Sequence, residues 1–205
     1  MKLYYSPGAC SLAPHILLRE AGVSFDLERV DTKTRKTAAG GDYLAVNPKG
    51  YVPALQFDDG EVLTEGVVLQ QYIADRNPAA RLAPAAGSKE RLRLDELLVF
   101  LSTEVHKKHD LLFAPTTPEE VKAGLRDKIG QRYDLIEVGL ADGRAFLTGA
   151  NFTVADAYFF TLASWGQYVG IDIARWPNIA ALLRRVAARP AVQAALEAEG
   201  LKQAA

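Results

Sequence analysis

The sequence has few of the side chains that bind metals or cross-link a chain. Its 205 residues include one cysteine and three histidines. A single cysteine excludes a disulfide within the chain and a metal site built from several cysteines. His106 and His109 have the i, i+3 spacing of one helical face, and we interpret them as a structural or solvated pair rather than as zinc ligands. The sequence therefore predicts no metal centre.

The sequence also lacks an excess of charge of either sign and any long hydrophobic run. It has 24 Lys and Arg against 25 Asp and Glu, a formal net charge of -1, which gives no electrostatic reason to expect nucleic acid or an anionic membrane as a partner. No stretch approaches the roughly 20 apolar residues of a membrane span, and the apolar run after Met1 is too short for a secretory signal. We therefore expect a soluble, cytoplasmic protein.

The first third of the chain alternates between strand and helix signals. Leu3 to Tyr5 is a short apolar run typical of a buried strand, and Ser11 to Ala21 has a helical pattern. A second strand follows near Phe25 to Val30. This strand-helix-strand order predicts a right-handed parallel crossover.

The next signals predict a hairpin and a helix. Val52 to Phe57 and Val62 to Leu63 flank a turn of Asp-Asp-Gly, and Glu65 to Arg76 follows as a helix. We expect an α/β domain over residues 1–79, an Ala- and Pro-rich linker over 80–87 and an all-helical domain over 88–205. The predicted later helices are Glu119 to Leu140, Val154 to Val169, Ile179 to Ala188 and Val192 to Glu199.

The helical region contains one clear N-terminal capping signal. Thr153 and Asp156 have the N-cap and N3 spacing of a capping box, with Asp in place of the usual Glu or Gln. We assign this pair to folding rather than to chemistry.

Cys10 is the strongest candidate for chemistry. It follows the turn Ser6-Pro7-Gly8-Ala9 and directly precedes the first predicted helix. Backbone N–H groups and the helix dipole at such a position favour a thiolate. The alternative is a buried, inert cysteine. Because Ala13 stands where a second redox cysteine would be, Cys10 acts alone or with an external thiol.

Two further segments suggest contacts with a peptide-like ligand. A cis bond at Val52-Pro53 would present the Val52 backbone to an extended ligand, while a trans edge-strand proline is the alternative. Glu65 and Gly66 open a helix, so that a backbone N–H and a carboxylate together suit an amino-acid head group. A simple first-turn acid is the alternative for Glu65.

Taken together, these residues resemble the beta class of bacterial glutathione transferases, and the resemblance spans essentially the whole chain. Five segments carry it in order: MKLYYSPGACSL (1–12), NPKGYVP (47–53), LTEG (63–66), EVHK (104–107) and FTVADAY (152–158). The resemblance implies a thioredoxin-like N-terminal domain followed by an all-α C-terminal domain. It also implies a homodimer that uses glutathione as cosubstrate and acts on a small hydrophobic electrophile.

The resemblance further implies roles for individual residues. Cys10, His106, Ser11 and Tyr5 form the implied catalytic set. The implied glutathione-binding residues are Cys10, Arg35, Lys36, Val52, Pro53, Glu65, Gly66, Glu104, His106 and Lys107. Phe113, Tyr158 and Trp165 are candidate walls of the electrophile pocket, with a place in the helical core as the alternative.

The sequence differs from the family pattern at two positions, and two other functions are compatible with it. Val99 stands where relatives are expected to have an amide, and it cannot donate or accept a hydrogen bond. Arg35 replaces a lysine of some relatives, which keeps the charge but changes its geometry. The other functions are a glutathione-dependent thiol transferase, peroxidase or reductive dehalogenase, and a non-catalytic ligand-binding protein on the same fold.

Overall fold

The computed structural model describes residues 1–201, which divide into two compact units. The first unit is Met1–Ala83 together with the chain from Ala188 onward, and the second is Pro84–Ala187. The division after Ala83 falls inside the segment 80–87 that the sequence predicts as a linker. Residues 202–205, the end of the predicted helical domain, lie outside the described residues.

A five-stranded sheet with the order β3-β2-β1-β4-β5 forms the base of the first unit. Its strands are β1 (Lys2–Tyr5), β2 (Asp26–Asp31), β3 (Lys36–Thr37), β4 (Ala54–Gln56) and β5 (Val62–Thr64). The central β1 pairs in parallel with β2 and antiparallel with β4. Leu3, Tyr4 and Tyr5 are all buried, as in a central strand with both faces covered. The predicted parallel pair and the β4–β5 hairpin are therefore present.

The α-helices of the described residues, in chain order, are α1 (Leu12–Glu20), α2 (Gly66–Arg76), α3 (Lys89–Phe100), α4 (Lys107–Phe113), α5 (Glu119–Leu140), α6 (Val154–Ser164), α7 (Gly166–Val169), α8 (Pro177–Ala187) and α9 (Pro190–Ala198). A π-helical segment, Leu101–His106, joins α3 to α4. Short 3-10 turns lie at Tyr43–Ala45, Pro78–Ala80 and Ile173–Arg175.

Helix α9 belongs to the first unit, whereas the sequence predicts it as part of the helical domain 88–205. It packs against α1, which also contacts α2. These contacts explain why every residue of α1 from Leu12 to Leu18 is buried. The apolar pattern of α9 predicts that one of its faces is covered, but the pattern does not identify the neighbour that covers it.

The second unit is helical, and one predicted helix is divided in two. The expected helix Val154 to Val169 is interrupted at Trp165, between α6 and α7. A Cβ atom at Gly166 would lie 2.7 Å from the carbonyl oxygen of Ile171. The backbone at Ile171 therefore approaches Gly166 so closely that only glycine fits at position 166.

The predicted capping box at the start of α6 is present. Asp156 Oδ2 accepts the N–H of Thr153 at 2.8 Å, and its Oδ1 accepts the N–H of Leu147 at 2.8 Å. Asp156 is 1% exposed, and burial raises the pKa of its carboxyl to about 6. A single side chain thus closes the turn before α6 and caps the helix.

Two features are absent from residues 1–201. None of their helices has the length and apolar character needed to cross a membrane. Their His, Cys, Asp and Glu side chains form no group of three or more that could hold a metal ion.

Candidate functional site

The turn after β1 carries Cys10 and is closed by hydrogen bonds near its start. The N–H of Ala9 donates to the carbonyl of Ser6 at 3.0 Å. Ser11 Oγ accepts the N–H of Ser6 and donates to its carbonyl, both at 3.2 Å. Ser11, implied as a catalytic residue beside the thiol, is fully buried. Its hydroxyl fixes the shape of the turn.

The Cys10 thiol lies beside the backbone of a second segment. Cys10 is half-buried, and its Sγ donates to the carbonyl oxygen of Val52 at 3.3 Å. Helix α1 begins at Leu12 with Ser11 as its N-cap, so Cys10 precedes the cap by one residue. The sequence predicts a thiol that faces backbone N–H groups. It does not predict this contact with a carbonyl, which requires the protonated thiol.

The loop that leads into β4 is anchored next to Cys10. The Val52–Pro53 peptide bond is cis, one of the two alternatives that the sequence leaves open. The carbonyl of Tyr51, directly before it, accepts from Asn47 Nδ2 at 2.8 Å and from the hydroxyl of Tyr43 at 3.0 Å. These two bonds hold the loop, and so the carbonyl of Val52 stays beside the Cys10 sulfur.

Glu65 lies immediately before α2 and already holds a cation. Its Oε1 accepts from Lys49 Nζ at 2.5 Å and from the Tyr51 hydroxyl at 3.3 Å. Lys49 Nζ also donates to Thr64 Oγ1 at 2.9 Å, and the hydrogen bond to Glu65 raises the pKa of Lys49. Glu65 has φ 71, a left-handed conformation unusual for a side chain with a Cβ. A carboxylate that accepts an ammonium group is therefore built into this position.

The two cations proposed for the glycyl end of a ligand differ in their surroundings. Lys36 lies on the exposed edge strand β3, where it pairs with Asp31. Arg35 is half-buried, and its guanidinium lies 3.3 Å from the position that a Cβ of Gly50 would take. The structure thus packs the Arg35 side chain against the loop that leads to Val52.

Tyr5, the last residue of β1, is 8% exposed. Its ring centroid lies 6.2 Å from that of His15. Burial raises the pKa of the Tyr5 hydroxyl, which therefore stays protonated at neutral pH.

In the second unit, His106 belongs to an aromatic cluster that contains the three predicted pocket residues. His106 Nδ1 and the Tyr158 hydroxyl are 2.7 Å apart, and the rings of His106 and Phe113 pack on Trp165 at 5.2 and 5.7 Å. Tyr158 and Trp165 are buried, whereas Phe113 is 47% exposed. Burial lowers the pKa of His106 to about 4, so its imidazole is neutral at pH 7.

Glu104 and Lys107 engage in ion pairs within the second unit. Glu104 Oε2 accepts from Arg132 Nη2 at 2.7 Å and from Lys108 Nζ at 3.0 Å, and these partners lower the pKa of its carboxyl. Lys107 pairs with Asp110 at 3.1 Å. Such pairs reduce the freedom of both side chains to contact a ligand.

Lys49, Tyr51 and Arg132 are the site-related residues that the sequence does not single out. Lys49 and Tyr51 lie within NPKGYVP, so the segment is recognisable from the sequence. Their contact with Glu65 spans 16 and 14 residues, and neither helical nor strand periodicity predicts it.

Two family models and a curated relative match this chain. The family model for the glutathione S-transferase N-terminal domain matches residues 8–76, and that for the C-terminal domain matches residues 93–190. Glutathione S-transferase GstA of Escherichia coli O157:H7 is 46% identical over 202 residues, which cover 98% of this chain and 100% of the relative.

Solved structures are similarly close. A sphingomonad glutathione S-transferase complexed with glutathione has 51% identity and a TM-score of 0.94. The bacterial beta-class glutathione S-transferase of Sphingomonas chungbukensis has 48% identity and a TM-score of 0.94. In both comparisons, 98% of this chain and 100% of the other chain are covered.

Proposed function

The chain belongs to the glutathione S-transferase family, and from this premise we propose that Cys10 is the residue that forms a mixed disulfide with glutathione. The enzyme uses glutathione as cosubstrate and conjugates or reduces small hydrophobic electrophiles. We assign it to detoxification in the cytoplasm, as a homodimer.

The observation that carries the proposal is the half-buried Cys10 thiol, 3.3 Å from the backbone carbonyl of Val52. An extended tripeptide that pairs its backbone with Val52, next to Pro53, has its central cysteine beside that carbonyl. Its sulfur therefore lies next to Cys10. The structure of a sphingomonad relative complexed with glutathione supports glutathione as the ligand.

The mixed disulfide forms by thiol–disulfide exchange. The thiolate of Cys10 attacks one sulfur of oxidised glutathione, a new sulfur–sulfur bond forms, and the original one breaks. The second glutathione leaves as a thiolate and takes up the proton that Cys10 released. Conjugation follows a different course, in which the thiolate of bound glutathione attacks the electrophile directly.

The charged ends of glutathione find complementary groups in the first unit. Glu65 accepts the γ-glutamyl ammonium in place of the Lys49 ammonium that it holds at 2.5 Å. The N–H of Gly66, in the first turn of α2, donates to the γ-glutamyl carboxylate. Arg35 or Lys36 pairs with the glycyl carboxylate. Arg35 is the better supported of the two because its side chain packs against the loop before Val52.

The second unit supplies the remaining proposed residues. Glu104, His106 and Lys107 contribute to glutathione binding, and the neutral imidazole of His106 is suited to accept a hydrogen bond. Phe113 is the proposed contact for an apolar electrophile because it is 47% exposed. Trp165 packs against Phe113 with ring centroids 5.7 Å apart, and the buried Tyr158 contacts His106. The exposed apolar side chains Leu135 and Val138 on α5 support contact with a second copy of the chain.

The decisive test is intact mass spectrometry after incubation with oxidised glutathione. We expect one glutathione to add to the native protein, and the addition should be much faster than that from a control disulfide of similar charge. The Cys10→Ala variant should gain no adduct. Equal rates with the two disulfides, or no adduct at all, would refute the assignment of Cys10. Full thiol transfer by Cys10→Ala would show that Cys10 is not the nucleophile.

A further inference from the structure

A carboxylate from the end of the described chain reaches the turn that carries Cys10. Glu199 follows α9 and is 5% exposed. Its Oε2 accepts the N–H of Gly8 at 2.8 Å. Gly8 lies only two residues before Cys10, although 191 residues separate it from Glu199.

The second oxygen of Glu199 is held by a buried histidine whose proton can be placed. His15 Nδ1 lies 2.8 Å from Glu199 Oε1, and both side chains are 0% exposed. His15 Nε2 lies 2.9 Å from Arg19 Nε. Because a guanidinium only donates, Nε2 accepts and the ring hydrogen is on Nδ1, directed at Glu199. The carboxylate therefore accepts one hydrogen bond from α1 and one from the turn.

These bonds set the shape of the turn at two points. Ser11 holds the backbone of Ser6 at the start of the turn. Glu199 holds Gly8 in its middle, where the backbone has φ +70. Cys10 lies two residues after Gly8 and directly before Ser11, and so the direction of its Sγ depends on both anchors.

The Glu199 carboxylate is not needed merely to attach α9 to α1. A separate ion pair between Arg189 and Glu20, with N···O distances of 2.6 and 2.8 Å, already links the two helices. That pair involves no residue of the turn from Ser6 to Cys10. Of these two carboxylates, Glu199 is the one bonded to the turn.

We propose that Glu199 is a positioning residue for Cys10, acting through the N–H of Gly8, with His15 and Arg19 orienting the carboxylate. The inference rests on the proposed reaction of Cys10 with glutathione. Without Glu199 the N–H of Gly8 loses this acceptor, and the Cys10 sulfur is less well directed toward a disulfide that is bound in one orientation.

The test compares Glu199→Ala with Glu20→Ala, since each removes one carboxylate between α1 and the C-terminal segment. For each folded variant, two rates are measured at Cys10: glutathionylation by oxidised glutathione and alkylation by iodoacetamide, a small reagent that needs no binding site. In Glu199→Ala we expect the ratio of the two rates to fall about tenfold, the effect of one lost charge-assisted hydrogen bond. In Glu20→Ala the ratio should stay within about twofold of that of the native protein.

A merely structural role would change both rates together, in proportion to the folded fraction. An unchanged ratio in folded Glu199→Ala, or an equal fall in Glu20→Ala, overturns the positioning role alone. If the native protein itself shows no preference for oxidised glutathione, the role of Cys10 and that of Glu199 are both overturned. Should Glu199→Ala not fold, the pair Glu199→Gln and Glu20→Gln keeps the side-chain volume and gives the same comparison, with a fall expected only in the former.

Discussion

Replacing Asp156 by alanine should lower the free energy of unfolding by about 3 kcal/mol at pH 7. The side chain is 1% exposed and accepts backbone N–H groups from Thr153 and Leu147, both at 2.8 Å. Alanine leaves the buried N–H of Thr153 and the partly buried N–H of Leu147 without this acceptor, at a cost of about 1.5 kcal/mol each. The loss falls on the start of α6 and on the turn that precedes it.

The pH dependence of this loss has a defined sign. Burial raises the pKa of Asp156 to about 6, above its ordinary value of 3.8. The folded state therefore binds more protons than the unfolded state within this window, and the stabilisation is full below it and lost as the pH rises through about 6. The difference between the native protein and Asp156→Ala should accordingly grow by about 1.4 kcal/mol from pH 7 to pH 5.

Urea unfolding followed by circular dichroism at pH 7 and pH 5 measures both quantities. Asp172→Ala is the matched control, because Asp172 also accepts a backbone N–H, that of Ala174 at 2.9 Å, but is exposed. We expect the control to lose less than about 1 kcal/mol at either pH. A loss below about 1 kcal/mol in Asp156→Ala would refute the hydrogen-bond reasoning. A strongly reduced glutathione affinity in the folded variant would refute the assignment of Asp156 to folding alone.

Two further predictions concern buried polar side chains. Gln70 is fully buried, and neither polar atom of its amide has a hydrogen-bond partner among the described residues. Gln70→Leu should therefore raise the free energy of unfolding, measured by urea titration, by about 1–2 kcal/mol. A decrease in that free energy would contradict this reasoning. Burial lowers the pKa of His106 to about 4 from 6.5, so protonation favours the unfolded state, and His106 contributes a loss of about 2 kcal/mol between pH 7 and pH 5, opposite in sign to the contribution of Asp156. Between pH 7 and pH 5 the native protein should therefore lose about 2 kcal/mol more than His106→Phe, whatever the stability of the variant at pH 7. An equal change in the two proteins would show that His106 does not titrate in this way.

Segments with a long, regular pattern are those that the sequence predicts best. Helix α5 has the predicted bounds Glu119–Leu140, because its 22 residues contain several repeats of the helical period. The two-residue strand β3 is too short to show any period. The π-helical segment Leu101–His106 directly continues α3, and the spacing of apolar residues in the sequence does not distinguish the two helix types.

In the candidate site, too, local segments can be predicted from the sequence but long-range contacts cannot. Cys10, Val52 and Glu65 can each be identified within a recognisable segment. Their contacts cannot, because the carbonyl that accepts from Cys10 lies 42 residues away and the cation held by Glu65 lies 16 residues away. Such pairs depend on how the sheet and its loops assemble, and the local pattern of a single sequence does not contain that information.

The discontinuous first unit also has a consequence during synthesis on the ribosome. His15 is made near the start of translation, whereas its partner Glu199 is 184 residues further along. At roughly 5–20 residues per second, the carboxylate that completes the network appears about 10–40 s later. The sheet and α1 emerge first, but the last contacts of the turn that bears Cys10 wait for the end of the chain. A nascent chain therefore carries this cysteine before its turn is fully anchored.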